Sequence, residues 1–282
     1  MALDRDPLVS TDWLAERLGD PALRLVDASW WFPHEDRDAA AEFKAAHIPG
    51  AVFFDIDTIA DQATPLPHML PTPEAFARAV GALGLGSGST IVVYEAGAPR
   101  SAARAWWSFR AMGHEDVRVL DGGLPKWRRE ERPIKTGGAH PKAATFTPHF
   151  NPRLVGSVSD IRSTLADGGA QIADARPAPR FRGEAPEPRA GLKSGHMPGA
   201  RSLPASDLYA PDGTMFSATD LAAKFAAAEI DLEKPVISSC GSGITACMIA
   251  LALARLGRWD AAVYDGSWAE WGALPDAQVT VS

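Results

Sequence analysis

Cysteine is scarce: 282 residues contain two, Cys240 and Cys247. Two cannot build a disulfide framework, and their i, i+7 spacing matches no recognised metal motif, so a disulfide-stapled secreted scaffold and a zinc module are both disfavoured. Long apolar runs are missing as well, and no window approaches the roughly 18 uninterrupted apolar residues of a membrane span. Positive charge is in deficit. Lys and Arg number 28 against 35 Asp and Glu, a formal charge of −7. No global field therefore draws nucleic acid or an anionic membrane, and an anionic small molecule would need a local cluster of cations. The opening "MALDRDPLVSTDWLAERL" has neither the apolar centre of a secretory signal nor the acid-free character of a mitochondrial presequence. The expectation is a soluble, cytoplasmic protein in a reducing compartment.

What is present is a globular composition, 46% hydrophobic and 22% charged, and a length that suggests two domains at about 150 residues each. The chain also repeats itself. "AAHIPGAVFFDI" around His47 matches "SGHMPGARSLPA" around His196, and "LRLVDAS" matches "AQIADAR", pairing Asp27 with Asp174. The last third of each half aligns without a gap, so that Gly113 falls on Gly257, Asp121 on Asp265 and Trp127 on Trp271. Two copies of one domain are expected over 1–135 and 156–282, with a glycine- and proline-bearing linker at 136–155.

Each copy alternates short β-rich runs with helical patterns, which implies an α/β fold with a mainly parallel sheet flanked by helices on both faces. Strands are expected at Leu23 to Ala28, Val52 to Phe54, Thr90 to Tyr94 and Val117 to Leu120. Their counterparts are Gln171 to Ala175, Val236 to Ser239 and Ala262 to Tyr264. Thr72 followed by Pro73, and Ser217 followed by Asp220, mark two helix starts.

A lone cysteine often packs as a small hydrophobe. Cys240 stands elsewhere: it follows the apolar run "PVIS", opens a loop containing Gly241 and Gly243, and precedes the helical pattern "ITACMIALALARLG". That is the carboxyl end of a strand, where open α/β sheets place ligand sites. Inward-turned loop amides of Gly241, Gly243, Ile244 and Thr245, together with a helix start, form an anion-binding nest. Such a nest favours a nucleophilic thiolate and would equally hold a persulfide anion. The first copy keeps Gly97 but has Ala96 where the second has Cys240. Cys247 points along the helix among Met248, Ile249 and Leu251, a core position.

"CGSGITA" after a buried strand, two tandem copies and the duplicated "H-[IM]-P-G-A" resemble the two-domain rhodanese family of sulfurtransferases. The fold class so implied is a tandem duplication of rhodanese-like domains. "CGSG" is similar to the loop of the family's 3-mercaptopyruvate branch; thiosulfate-specific members carry a basic pair where Gly241 and Ser242 stand. The segment "ARPAPRFRGEAPEPRAG" supplies Arg176, Arg180, Arg182 and Arg189, and an arginine fork suits a carboxylate. By resemblance, Arg180 and Arg189 bind the donor's carboxylate and keto oxygen, with Arg182 the weaker candidate. "FFDIDTIADQATPLPHMLP" resembles the segment that brings an aspartate and a histidine to the site. The matching Asp57 and His68, with Ser242, would form a polar relay handling a proton at the serine or the leaving enolate. His47 and His196, present in both copies, read as scaffold.

The implied reaction is attack of Cys240 on the sulfur of 3-mercaptopyruvate, departure of pyruvate, and transfer of the outer sulfur to a small thiol, cyanide or thioredoxin. It requires no metal and no organic cofactor. One rival is a thiosulfate:cyanide sulfurtransferase. A cysteine phosphatase needs an arginine six positions after the nucleophile, where Ala246 stands. A non-catalytic sulfur-binding or redox-sensing module is the third reading, and turnover with any sulfur donor excludes it.

Overall fold

The computed structural model describes residues 6–97, 99–139 and 141–282; Ala98, in the loop of the first copy, lies outside them. The chain forms two compact units. One takes in the chain up to Gln62 with Leu70–Asn151 and Pro211–Met215, and the other takes in Ala63–Met69, Pro152–Ala210 and Phe216–Ser282. The division after Asn151 falls inside the expected linker, most of which packs onto the first unit. There the Ala144 amide donates to Gly81 O at 2.9 Å, and Phe146 is buried against Phe76 and Phe109.

The first unit holds β1 (Leu8–Val9), β2 (Leu23–Asp27), β3 (Ala51–Phe53), β4 (Thr90–Tyr94) and β5 (Val117–Leu120) in the order β1-β5-β4-β2-β3. The second repeats the plan with β6 (Val155–Gly156), β7 (Gln171–Asp174), β8 (Arg201–Ser202), β9 (Val236–Ser239) and β10 (Ala262–Tyr264), ordered β6-β10-β9-β7-β8. Every neighbouring pair is parallel. The central strands β4 ("TIVVY") and β9 ("VISS") are buried almost throughout, as parallel strands covered on both faces must be. Four expected strands coincide with the observed ones, β2 and β7 end one residue earlier than expected, and β3 is shifted by one residue toward the N-terminus. The two-residue strands β1, β6 and β8 are too short to show a period and were not expected.

The helix starts follow the expected chemistry. Thr72 Oγ1 accepts from Ala75 N at 3.3 Å at the head of Pro73–Ala82. Ser217 Oγ accepts from Asp220 N at 3.2 Å at the head of Ala218–Ala227. Under the first sheet, Leu25, Phe43, Ile48, Val92 and Trp127 belong to one buried cluster; Ile172, Phe181, Met197, Tyr264 and Trp268 belong to its counterpart in the second unit. Cys240 directly follows β9, so the middle strand of the second sheet delivers it to the carboxyl edge.

Candidate active site

The loop that begins at Cys240 runs into the helix Ala246–Arg255. Gly243 turns it at φ +79°, a conformation that costs glycine little. Thr245, at the head of the helix, makes no side-chain cap, and the helix amides of Cys247 and Met248 donate instead to Ile244 O and Thr245 O at 3.2 and 3.1 Å. Among the described residues, no backbone carbonyl takes the amides of Gly241, Ser242, Ile244 or Thr245. The loop after Cys240 is therefore rich in backbone donors.

Cys240 is buried, and its own amide donates to Ser267 Oγ at 3.1 Å. Ser267 Oγ in turn donates to Tyr264 O at 2.8 Å and lies 4.0 Å from Cys240 Sγ. The carbonyls of Cys240 and Gly241 accept from Trp268 N and Ala269 N, both at 2.9 Å. Thus the short helix Ser267–Trp271 grips the start of the loop from behind. Ser267 has φ +49°, and its counterpart in the first copy, Gly123, has φ +55°. A serine in a conformation that favours glycine is a strained residue, and here its hydroxyl meets the cysteine. The sequence carried the signal as "DGGL" against "DGSW", but sequence reasoning did not single it out.

The arginine segment divides by environment. Arg180, at the end of the helix Ala178–Arg182, lies over the loop: a methyl group added at Gly241 would sit 3.2 Å from its Nη2. Its Nη2 and Nε donate to Glu187 Oε2 and Oε1 at 2.5 and 3.3 Å. Arg176 is fully buried, stacked 4.1 Å over the Trp268 ring, and donates to Asp174, Gly195 O and Glu187 Oε1. Burial opposes the Arg176 charge, but the Asp174 and Glu187 carboxylates outweigh it and raise its pKa. Arg182 pairs with Glu184 at the exposed rim, and Arg189 is half-buried. Glu187, whose side chain is only 2% exposed, was missed because "PEPR" drew attention to its arginine.

His68 Nδ1 donates to the backbone carbonyl of Ser242 at 3.3 Å. That assigns the proton to Nδ1 and makes Nε2 the basic nitrogen. Ser242 is buried, and the observed link runs to its carbonyl rather than its hydroxyl. Asp57 belongs to the first unit, where its carboxylate accepts from Trp30 Nε1 at 3.0 and 3.2 Å. His47 and His196 occupy equivalent buried positions. Each ring stacks on a phenylalanine, Phe43 or Phe181, and donates through Nδ1 to that residue's carbonyl at 2.8 Å. Cys247 is fully buried, and its thiol donates to Gly243 O at 3.2 Å.

The sheet register corrects the gapless alignment by one residue: Tyr94 pairs with Asp27 as Ser239 pairs with Asp174, so Glu95 rather than Ala96 stands in the first copy where Cys240 stands in the second. Buried Glu95, at the end of β4, accepts from Ala102 N at 3.2 Å and pairs with Arg100 Nη1 at 3.4 Å. Desolvation outweighs the arginine and pushes its pKa up to about 7.

The described residues hold no cluster fit for a metal ion, and no helix is long and apolar enough to cross a membrane. The rhodanese-like domain profile matches residues 10–130 and again 157–274. The Escherichia coli 3-mercaptopyruvate sulfurtransferase is 44% identical over 96% of this chain and 96% of its own length. The Arabidopsis thaliana mitochondrial thiosulfate/3-mercaptopyruvate sulfurtransferase 1 is 43% identical over 97% of this chain and 78% of its own. The crystal structure of the Escherichia coli 3-mercaptopyruvate sulfotransferase SseA superposes with a TM-score of 0.86 at 42% identity, covering 94% of this chain and all of that one. The duplicated sheet, the matched profile and these relatives show that the chain belongs to the rhodanese-like family, with two copies of its domain.

Proposed function

We propose that this chain is a 3-mercaptopyruvate sulfurtransferase that carries sulfur as a persulfide on Cys240. The carrying observation is the placement of Cys240 at the head of an amide cradle with the Arg180 guanidinium beside Gly241. The names of the close relatives support the same donor.

Arg180 and Arg189 take the donor's carboxylate and keto oxygen, which sets the donor thiol toward Cys240. The Cys240 thiolate attacks that sulfur. A sulfur–sulfur bond forms, the carbon–sulfur bond breaks, and its electron pair leaves on pyruvate as the enolate. The donor's thiol proton ends on the enolate carbon, with His68 Nε2 the base that can relay it; Ser242 belongs to the same proposed relay. The products are pyruvate and a Cys240 persulfide anion, which the loop amides stabilise as oriented donors stabilise any developing charge. An acceptor thiolate then attacks the outer sulfur and returns Cys240 to its thiolate. Small thiols, cyanide and a reduced thioredoxin have the chemistry of that acceptor. Two cysteines, neither of them in a disulfide, suit the reducing cytoplasm.

Uncharged Gly241 and Ser242 offer little to a dianion, so thiosulfate is the poorer donor in this reading. The test compares pyruvate release from mercaptopyruvate with thiocyanate formation from thiosulfate and cyanide, in wild type and Cys240→Ser. Mass spectrometry after donor alone should find one added sulfur on the Cys240 peptide. An adduct on Cys247, or none, refutes the proposal.

A further inference from the structure

Four charged side chains form one chain of ion pairs in the second unit. Asp174, at the end of β7, holds Arg176 through Nε and Nη2, the latter at 2.7 Å. Arg176 Nη1 reaches Glu187 Oε1 at 2.8 Å, and Glu187 holds Arg180 by its Nε and Nη2 edge. The first three are almost wholly buried, whereas Arg180 keeps 20% of its side chain exposed. Arg176 also covers Trp268, whose amide grips Cys240 O. The network thus reaches the cysteine loop at two places, through Trp268 and where Arg180 lies beside Gly241.

The duplication supplies a control. Ser29 stands in the first copy where Arg176 stands in the second, and it bonds Asp27 and Ala96 N instead. The copy without the cysteine has the same sheet without this network, so the fold does not require the network.

Glu187 does two things to Arg180. It occupies the Nε edge, which leaves Nη1 and the second Nη2 proton as a two-pronged donor. It also cancels charge, because Asp174, Arg176, Glu187 and Arg180 sum to zero. A donor carboxylate is then held by the geometry of two hydrogen bonds with little surplus of positive potential. That arrangement suits a monoanion, whereas a dianion of sulfur oxide needs the surplus.

We propose that Glu187 is a positioning and specificity-determining residue: by fixing one edge of Arg180 and neutralising it, Glu187 selects monoanionic keto-thiol donors over dianionic ones. The inference rests on the functional reading above. In Glu187→Gln the ratio of kcat/KM for thiosulfate to that for mercaptopyruvate should rise on the order of tenfold, the scale for one uncancelled charge a few ångströms away. The ratio is taken on one preparation, so loss of folded protein leaves it unchanged. In an Arg180→Gln background the same substitution should no longer shift it. Glu187→Asp, which keeps the charge but shortens the reach, should lower kcat/KM severalfold for both donors alike and so leave the ratio within twofold.

A readout without a sulfur donor separates the two proposals. Alkylation of Cys240 by iodoacetate, relative to neutral iodoacetamide, should rise in Glu187→Gln. A wild-type protein that takes no sulfur from mercaptopyruvate refutes the functional reading alone. A donor ratio and an alkylation ratio that both stay within twofold in Glu187→Gln, or a shift that persists without Arg180, overturn the role of Glu187.

Discussion

Glu95 makes the stability of this protein depend on pH in a direction opposite to that of most paired carboxylates. Its folded pKa is about 7 against an ordinary value of 4.5, because burial outweighs the Arg100 pair and the Ala102 amide. The folded state therefore holds a proton that the unfolded state releases between those values. Stability is full below pH 4.5 and is lost as pH rises toward 7 and beyond. The window spans roughly 2.5 pH units, which at 1.36 kcal/mol each is about 3 kcal/mol in all, most of it falling between pH 5 and 8. Glu95→Gln removes the titration while keeping an oxygen for Ala102 N. The free energy of unfolding, from denaturant titrations of wild type and variant at half-unit pH steps, gives a difference in which other titrating groups cancel. The variant should gain about 2 to 3 kcal/mol relative to wild type between pH 5 and 8. Parallel curves would show that Glu95 titrates alike folded and unfolded, and would refute burial as the force that holds its proton.

Ser267→Gly should fold at least as well as wild type within about 1 kcal/mol, since relief of the left-handed backbone offsets the lost hydrogen bonds; its turnover should still fall on the order of tenfold, because Cys240 N loses its acceptor, as steady-state pyruvate release would show. Ser267→Ala, which keeps the strain and loses the hydroxyl, should melt below Ser267→Gly, and the reverse order would refute the strain argument. Cys247→Ala should cost about 1 to 2 kcal/mol by leaving a small void, seen in its denaturation midpoint, and should still form the Cys240 persulfide.

The sequence made legible those features that depend on local chemistry or on the repeat. Short β-rich runs alternating with helical patterns placed seven of the strands to within one residue, and the Thr72 and Ser217 caps placed two helices. The Cys240 loop was readable because glycine, strand end and helix start adjoin in the chain. Glu187 was not readable, because its meaning comes from Arg176 and Arg180 meeting it in space, and no short-range pattern encodes a shared carboxylate. Ser267 and Glu95 escaped for a related reason. The contrast of "DGGL" with "DGSW" marks where the serine sits but not its contact with the cysteine, and the carboxylate seated on a helix start shows only once the two copies are superposed in three dimensions.

The segment bearing Arg180 and Glu187 is stapled from outside. Thr280 exchanges backbone hydrogen bonds with His196 at 2.9 Å each way, Ser282 N donates to Arg182 O at 3.4 Å, and Gly195 passes so close to Thr280 O that any side chain there would collide. A loop anchored at both shoulders has already surrendered its conformational freedom before a donor arrives. Residues 280–282, which touch no reacting atom, are in that sense part of the preorganisation of the binding arginine.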